Sequence, residues 1–345
     1  MAFEVRTSSG RAGDRGGEVY ELTNAAGTVR AEVWPQWGFN CLKWQLRQED
    51  GRWADILFHM PDWESNPVPT RSGHPILFPF PGRLREGRLP LDGRTYQLPL
   101  TESSKLHSIH GFTPRLPWRV TAHSFGNAQE CAAVTGEFSL ATDFPEALAY
   151  WPTDFVFQVT YRLYPDKLRV DARAENVGAG PLPCGLGYHG YFVLPGVNDA
   201  DVANYVLQAN VSEVWAVDAA NLPTGERKAL PGDLDFQKPR ALGATALDHV
   251  FRGVTTKPGK SGLAEVAVLA HPKAHGRLRV LADNSFGDLV LFTPAHRRAV
   301  AIEPYSCAAD ASNLAARGVD TGWRVVPPGG VWESAVEYRW EPTEL

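Results

Sequence analysis

The fold is decided by the stretch Phe155-Val-Phe-Gln-Val-Thr-Tyr-Arg-Leu-Tyr164. From Phe157 onward, apolar and polar side chains alternate strictly, which is the pattern of a β-strand with one buried face. Pro165-Asp166 follows as a turn, and residues 167–176 alternate again. Together the two segments predict an antiparallel β-hairpin.

Most of the remaining chain carries strand signals of the same kind. Further strands are predicted at 18–22, 28–34, 41–46, 132–140, 205–209, 277–282, 288–292, 299–303 and 331–340. Helical periodicity is confined to two short segments, 142–148 and 313–316. The 32 glycines and 27 prolines are spread along the chain and mark frequent turns. Many short strands with frequent turns predict an all-β fold, a sandwich or a barrel.

The domain organisation follows from the absence of any shift in composition. All-β folds can exceed 200 residues as one domain, so we expect residues 18–345 to form a single domain. The segment 7–17 is polar and rich in glycine, and residues 1–17 are therefore predicted to be a mobile N-terminal arm.

Composition and charge bound the class of protein. Across 345 residues the net charge is −5, which argues against nucleic acid or an anionic membrane as the main partner. The four cysteines form neither a CxxC pair nor a Cys/His cluster at zinc spacing, so free thiols in a reducing compartment are expected. Because there is no signal-like apolar segment near the N-terminus and no apolar run of membrane length, a cytoplasmic location is predicted.

A lone histidine is the first candidate for chemistry. His189 lies in Cys184-Gly-Leu-Gly-Tyr-His-Gly-Tyr-Phe-Val-Leu194, an aromatic and glycine-rich run. Imidazole is the side chain most easily poised to give or take a proton near pH 7. The neighbouring rings of Tyr188, Tyr191 and Phe192 offer flat faces of the kind that a sugar ring packs against. Taken alone, a hydrogen-bonded core histidine is the more common explanation of such a run.

A carboxylate is the second candidate. Glu303 follows the apolar segment Val300-Ala-Ile302 and precedes Pro304, where the strand is predicted to end because proline cannot donate to the ladder. A carboxylate at the mouth of an apolar sheet is partly desolvated, which raises its pKa and suits a general base. A solvated glutamate at a strand end is the simpler alternative.

Three further segments carry polar groups among apolar residues. Arg83 emerges from a rigid run with three prolines and can direct two donors toward one ligand, whereas Arg85 and Arg88 are interpreted as a solvated basic loop. His110 lies three residues after His107, a spacing that is weak evidence for zinc. The third segment is Ala246-Leu-Asp-His-Val-Phe251, in which Asp248 is either in a turn or a ligand contact.

Several familiar motifs are missing from the sequence. There is no GxGxxG leading from a strand into a helix, no P-loop and no GxSxG elbow. Nucleotide cofactors and serine hydrolysis are therefore poorly supported.

Taken in order, five short motifs resemble the aldose 1-epimerase (galactose mutarotase) superfamily. They are Pro81-Gly-Arg83, Ile109-His-Gly111, Tyr188-His-Gly-Tyr-Phe192, Leu247-Asp-His-Val-Phe251 and Ile302-Glu-Pro-Tyr305, and Asp310-Ala-Ser-Asn313 follows them. The resemblance implies a large antiparallel β-sandwich with an open sugar-binding cleft. It also implies a monomer or homodimer, a small-molecule sugar as the partner, and chemistry without a cofactor or a metal.

The resemblance also implies a role for each candidate residue. Glu303 matches the family's general base, which takes the proton of the anomeric hydroxyl, and His189 matches the general acid, which protonates the ring oxygen. His110 and Arg83 match residues that bind sugar oxygens near the reacting centre. Asp248 matches a carboxylate that accepts hydrogen bonds from sugar hydroxyls.

The chain departs from the free-hexose members of that family at two motifs. Gly82 stands where asparagine is usual, and Gly190 follows His189 where proline is usual. Segments 71–80 and 110–118 instead look like the hexose-6-phosphate epimerase branch, in which an arginine at the position of Arg71 helps to bind the substrate. The Glu-Pro-Tyr and Asp-Ala-Ser-Asn motifs are closer to the free-aldose branch.

The sequence therefore predicts a 1-epimerase of a free hexose, with a hexose 6-phosphate as the alternative substrate. Two other classes remain open. A non-catalytic carbohydrate-binding protein would use the same cleft without needing an acid–base pair. A lyase or hydrolase is the other, and a glycosidase would need two carboxylates, which Asp248 and Glu303 could supply.

Overall fold

The computed structural model describes residues 3–124, 130–197 and 201–343, and strands dominate it. The strands are β1 Glu4–Ala12, β2 Arg15–Thr23, β3 Val29–Trp34, β4 Asn40–Arg47, β5 Trp53–Asp55, β6 Ile76–Leu77, β7 Arg83–Arg85, β8 Arg88–Leu91, β9 Arg94–Gln97, β10 His107–Ile109, β11 Arg119–His123, β12 Ala132–Ser139, β13 Phe155–Leu163, β14 Lys167–Asn176, β15 Leu182–Cys184, β16 Gly187–Tyr188, β17 Gly190–Phe192, β18 Val206–Ala209, β19 Val211–Val217, β20 Pro223–Ala229, β21 Arg240–Ala241, β22 Asp248–Val254, β23 Ala264–Ala270, β24 Gly276–Ala282, β25 Asp288–Phe292, β26 Val300–Tyr305, β27 Arg324–Val326 and β28 Val331–Pro342.

Helices are short and few. The described residues form the α-helices α1 Leu140–Asp143 and α2 Ala311–Ala315 and the 3₁₀ helices Pro35–Trp37, Pro69–Arg71, Thr113–Arg115, Pro145–Ala149 and Val202–Asn204. Within those residues, no helix has the length and apolar character needed to cross a membrane. The prediction of an all-β fold is confirmed.

Two large antiparallel sheets make up the body of the protein. One has nine strands in the order β11-β12-β13-β14-β28-β24-β23-β18-β21, and the other has the order β20-β19-β22-β25-β26-β16-β6, with β17 also paired to β26. A five-stranded sheet runs β1-β2-β3-β4-β5, and three pairs, β7-β10, β8-β9 and β15-β27, complete the fold.

The predicted hairpin is confirmed and lies in the nine-stranded sheet. β13 pairs with β14 from Phe155 opposite Asn176 to Leu163 opposite Leu168, without a register shift. Every second residue of each strand is buried, and the residues between are partly exposed. One face of this sheet therefore packs against the interior while the other carries charge.

A buried histidine connects the two large sheets. Tyr161 on β13 donates its hydroxyl to the His74 carbonyl, so its oxygen can accept the ring Nδ1–H at 3.0 Å. The Nε2 atom then accepts from the hydroxyl of Tyr338 on β28 at 2.7 Å, and the ring stacks on Tyr188 of β16. Burial lowers the pKa of His74 to about 3, so the ring is neutral at pH 7.

The N-terminal segment, for which a mobile arm was predicted, contains a β-hairpin. β1 and β2 pair along their whole length, from Glu4 opposite Thr23 to Ala12 opposite Arg15. Because the segment 7–17 has no large apolar residues, this end of the hairpin is held mainly by backbone hydrogen bonds between the two strands. Its one fully buried side chain is Ala12, in a small cluster with Trp37 and Trp63.

We expect His74→Phe to lower the free energy of unfolding at pH 7 by about 2–4 kcal/mol, because buried tyrosine hydroxyl groups lose their partner. The folded pKa of about 3 lies below the unfolded value near 6.5, so stability from the neutral ring is full above pH 6.5 and falls as the pH drops. The difference between wild type and variant should therefore shrink by about 2 kcal/mol from pH 7 to pH 5.

Denaturant titrations followed by tryptophan fluorescence at both pH values measure this difference. The double variant His74→Phe/Tyr338→Phe is the matched control, because removal of both partners restores part of the loss. A loss that is the same at pH 5 and pH 7 would contradict the assignment of a neutral, hydrogen-bonded His74.

Candidate active site

Strand register places His189 directly opposite Glu303. Gly187 pairs with Tyr305 and Gly190 pairs with Ile302, so residue 189, which lies between β16 and β17, stands across from residue 303 of β26. Directly opposed residues of antiparallel strands project side chains to the same face, about 5 Å apart at Cβ. The two residues are 114 positions apart in sequence order, yet they are immediate neighbours in the sheet.

The prediction that the strand ends at Pro304 was wrong, because β26 continues to Tyr305. The Ser306 N–H donates to Leu186, so the even-numbered residues of β26 direct their N–H groups toward β16 and β17. Pro304 thus stands opposite Tyr188. It has no N–H to donate there, and the pairing of β26 with β16 and β17 is interrupted at that point. The His189 N–H points the other way and donates to Pro75.

The two side chains form a buried pair. His189 Nδ1 lies 3.4 Å from Glu303 Oε1, and the residues are 8% and 1% exposed. In the described part of the chain, His189 Nδ1 and Glu303 Oε2 have no hydrogen-bond partner. Both residues line a pocket.

Burial favours the neutral form of each partner. It lowers the pKa of His189 to about 3. It raises the pKa of Glu303 well above its usual range, Asp248 raises it further, and a hydrogen bond from Tyr305 opposes the shift. Burial thus favours the state in which neither side chain is charged, and transfer of a proton from the carboxyl group to the imidazole would create an ion pair without any proton from solvent.

Aromatic side chains hold the His189 ring in place. Tyr191 stacks on it with centroids 4.7 Å apart and donates its hydroxyl to the Thr70 carbonyl. Phe292 and His110 approach the ring edge-on at 6.1 and 5.7 Å. The imidazole is thus confined on three sides and faces Glu303 on the fourth.

His110 presents a neutral ring to the same pocket. Its backbone has a left-handed φ of 64°, and its N–H donates to the Gly82 carbonyl. The Gly82 N–H donates to His110 Nδ1 at 3.2 Å, so the ring proton is on Nε2. Burial, followed by electrostatic interaction with His189, Arg115 and Arg83, lowers the pKa of His110 well below its usual value.

Arg83 and Asp248 lie in the pocket wall. Arg83 on β7 pairs through Nε with Glu102 at 2.6 Å. Asp248 begins β22 at the exposed rim, so it belongs to a strand rather than to a turn, and its Oδ2 accepts from Asn221 at 2.9 Å. The structure therefore brings Glu303, His189, His110, Arg83 and Asp248 together around one cavity.

Arg71 is the predicted site residue that does not line this cavity. It ends the 3₁₀ helix Pro69–Arg71 and is exposed. Its positive charge acts on the hydroxyl of Tyr191, whose pKa it lowers against the larger opposing effect of burial.

Two of the three rings predicted to face a sugar are in the core. Tyr188 and Phe192 lie one and three residues from His189 along the chain, so their side chains point to the opposite face of the sheet. There Tyr188 contacts His74, and Phe192 contacts Tyr338. Tyr191 shares the face of His189, and an aromatic wall of the cavity comes instead from Phe292 on β25.

Several lining residues were not singled out in the sequence. Four of them, Gly82, Ile109, Val250 and Tyr305, belong to the quoted motifs but were given no role, and the others are Asn221, Val290, Phe292 and Ala309. Tyr305 could have been found from its place two residues after Glu303 on the same strand, whereas Asn221 has no local signal because it comes from a turn that is distant in sequence. The cavity has a volume of about 180 Å³, which suits a small molecule.

No group of three or more His, Cys, Asp or Glu residues in the described ranges is arranged to hold a metal ion.

The family assignment follows from a match that spans most of the chain. The family model for aldose 1-epimerase matches residues 18–339. The chain belongs to the aldose 1-epimerase family. This family is named for exchange at the anomeric carbon of sugars.

The chain is also similar to individual proteins. The uncharacterized protein YihR of Escherichia coli K12 is 28% identical over 69% of this chain and 71% of its own length. A galactose mutarotase-like protein from Clostridium acetobutylicum superposes with a TM-score of 0.84 at 22% identity and covers 99% of each chain. Galactose 1-epimerase from Lactobacillus acidophilus superposes with a TM-score of 0.76 at 19% identity over 99% of this epimerase-family chain and 100% of its own. Both structures share the fold.

We expect the His189 ring to stay neutral from pH 5 to pH 8 in the ligand-free protein, since its pKa is lowered to about 3. Imidazole ¹⁵N chemical shifts measured across this range test the expectation, with the His189→Asn variant used to assign the signal. The same protein in denaturant provides the unperturbed titration near pH 6.5. A folded-state midpoint between pH 6 and pH 7 would show that the pair is not held in its neutral form.

Proposed function

We propose that the protein is an aldose 1-epimerase (mutarotase) that interconverts the α and β anomers of a hexose by opening and reclosing the ring. The observation that carries this proposal is the buried Glu303–His189 pair, 3.4 Å apart in the wall of a small cavity. Anomer exchange needs one group to remove a proton and another to deliver one, and no cofactor. Family membership supports the same reaction class.

Substrate binding would create the active protonation state. An anomeric hydroxyl that donates a hydrogen bond to Glu303 favours the carboxylate, because hydrogen bonding to the charged form lowers a raised pKa. The proton released from the carboxyl group crosses to His189. The complex then contains a carboxylate base and an imidazolium acid, both in a site with little water.

The proposed reaction conserves every proton. Glu303 takes the proton of the anomeric hydroxyl as the C1–O1 double bond forms and the C1–O5 bond breaks. O5 takes the proton of the His189 imidazolium. After rotation about the C1–C2 bond, O5 attacks the other face of C1 and returns its proton to His189, and Glu303 returns its proton to O1.

The remaining pocket residues would bind and orient the sugar. His110 is fixed as the Nε2–H tautomer and donates to a sugar oxygen without competing for the reacting proton. Asp248, held by Asn221, accepts from a sugar hydroxyl at the rim. Arg83 keeps unused guanidinium donors beside Glu102 for a further oxygen. Positioning of this kind lowers the barrier alongside proton transfer.

A free hexose is the substrate that this wall favours. Arg83 is the arginine among the lining residues, and Glu102 already neutralises its charge. A phosphate in the cavity would also meet the carboxyl groups of Asp248 and Glu303. A hexose 6-phosphate is the second candidate, supported by the exposed Arg71 close to Tyr191.

We expect Glu303→Gln and His189→Asn each to reduce anomer exchange by about 100- to 10,000-fold, the usual contribution of a positioned acid or base. NMR saturation transfer between the two anomers of a hexose measures the rate at equilibrium. Glu303→Gln preserves side-chain size, so its thermal unfolding should change little, whereas His189→Asn removes part of a buried ring and its unfolding is measured alongside the rate.

Matched substitutions outside the pocket serve as controls. Glu333→Gln and His296→Asn alter exposed residues that do not line the cavity, and they should retain full activity. Wild-type exchange no faster than buffer on every sugar tested would contradict the enzyme assignment. Saturable sugar binding in that case would identify a carbohydrate-binding protein instead.

We expect wild type to act on free hexoses with a kcat/KM about tenfold or more above that for hexose 6-phosphates, since an unpaired phosphate charge costs at least ~1.4 kcal/mol. Arg71→Gln should leave the free-hexose rate unchanged. The opposite preference, together with a raised KM for the phosphate ester in Arg71→Gln, would select the second candidate.

A further inference from the structure

Arg85, which the sequence assigned to a solvated loop, forms ion pairs with two distant segments. From the end of β7, its Nη2 contacts Asp218 Oδ2 at 2.7 Å, and its Nε contacts Asp310 Oδ2 at 3.3 Å. Asp218 follows β19, and Asp310 precedes α2. One guanidinium therefore joins three parts of the chain that meet at the mouth of the pocket.

The Asp310 side of this junction fixes the strand that carries Arg83. Asp310 Oδ1 accepts from the Arg85 backbone N–H at 2.9 Å, and the Asp310 N–H donates to the Arg83 carbonyl at 2.7 Å. Asp310 is 4% exposed and has a left-handed φ of 57°. It thus holds β7 by backbone and side chain and sets the wall formed by Gly82 and Arg83.

The Asp218 side fixes the opposite wall. Asp218 Oδ1 accepts from the backbone N–H groups of Ala220 and Leu222, which closes a tight turn. That turn presents Asn221, whose amide donates to Asp248 Oδ2 at 2.9 Å. A continuous path of contacts therefore runs from Arg85 through Asp218 and Asn221 to Asp248.

These ion pairs are better suited to positioning than to global stability. The Arg85 and Asp218 side chains are 38% and 33% exposed, and ion pairs that exposed add little to folding stability. An arginine fork nevertheless fixes the direction and spacing of two carboxylates at once. A lysine has a single charged nitrogen and cannot reproduce that geometry.

We propose that Arg85 is a positioning residue for substrate binding, which holds Asp248 and Arg83 at their working separation across the pocket without touching the sugar. The inference rests on the proposed function for its kinetic consequence. Without the Arg85 guanidinium, the 218–222 turn loses its ion pair, and Asp248 loses the fixed orientation that Asn221 gives it. The Glu303–His189 pair lies on other strands and is unaffected. The effect falls on KM rather than on kcat.

We expect Arg85→Gln and Arg85→Lys to raise KM for the hexose about three- to thirty-fold, with kcat within about twofold of wild type. Arg88→Gln is the matched control, because Arg88 is exposed on β8 and lies 3.9 Å from Glu86. It should leave both constants unchanged. Asn221→Ala should reproduce the KM effect, and the double variant Arg85→Gln/Asn221→Ala should show less than the product of the two single effects.

An unchanged KM in Arg85→Gln, an equal fall in kcat, or fully multiplicative effects in the double variant would overturn the inference. A crystal structure of Arg85→Gln gives a second readout that needs no activity. Displacement of the 218–222 turn and of the Asp248 side chain supports the positioning role, and their retention overturns it. Wild type that fails to exchange anomers would defeat the proposed function alone, and the variant structure would then decide the role of Arg85.

Discussion

The site depends on the way residues 73–75 are held between the two large sheets. The His74 ring binds Tyr161 and Tyr338 of the nine-stranded sheet, while the carbonyls of Gly73 and Pro75 accept the N–H groups of Tyr191 and His189. One short segment thus connects the sheets and satisfies the backbone of the strand that presents His189. Because a buried N–H without a partner is costly, this segment fixes where His189 can lie.

The same construction explains why a carboxyl group and an imidazole can be buried together. Opposed positions in a sheet are held by the backbone, so His189 and Glu303 stay close without an ion pair to attract them. Desolvation then favours the state in which both are neutral. In the reaction we propose, a sugar hydroxyl that donates to the carboxyl group shifts the proton toward His189.

The sequence was sufficient wherever the relevant pattern is local. Alternation predicted β13, β14 and β25 to within a residue, and the motif order predicted the family. It was insufficient where pairing decides the outcome. A proline usually ends a strand because it has no N–H to donate, and Pro304 was read in this way. In the structure β26 continues to Tyr305, because Pro304 stands opposite Tyr188, where the pairing of the two strands is interrupted. The sequence around Arg85 is that of a solvated loop, because its two partners, Asp218 and Asp310, are more than 130 positions away in the chain.

The two departures from the free-hexose pattern now have different meanings. Gly190 faces the core, and a Cβ there would lie 2.8 Å from the Phe192 ring and 3.1 Å from His74 Cδ2. That glycine is therefore required by the packing of His74 and says little about the substrate. Gly82 lines the pocket, and a Cβ there would lie 2.8 Å from that of Ala309. An asparagine at 82 would need Ala309 to move, so these two positions shape the cavity together, and the difference in sugar recognition is to be sought at Gly82 rather than beside His189.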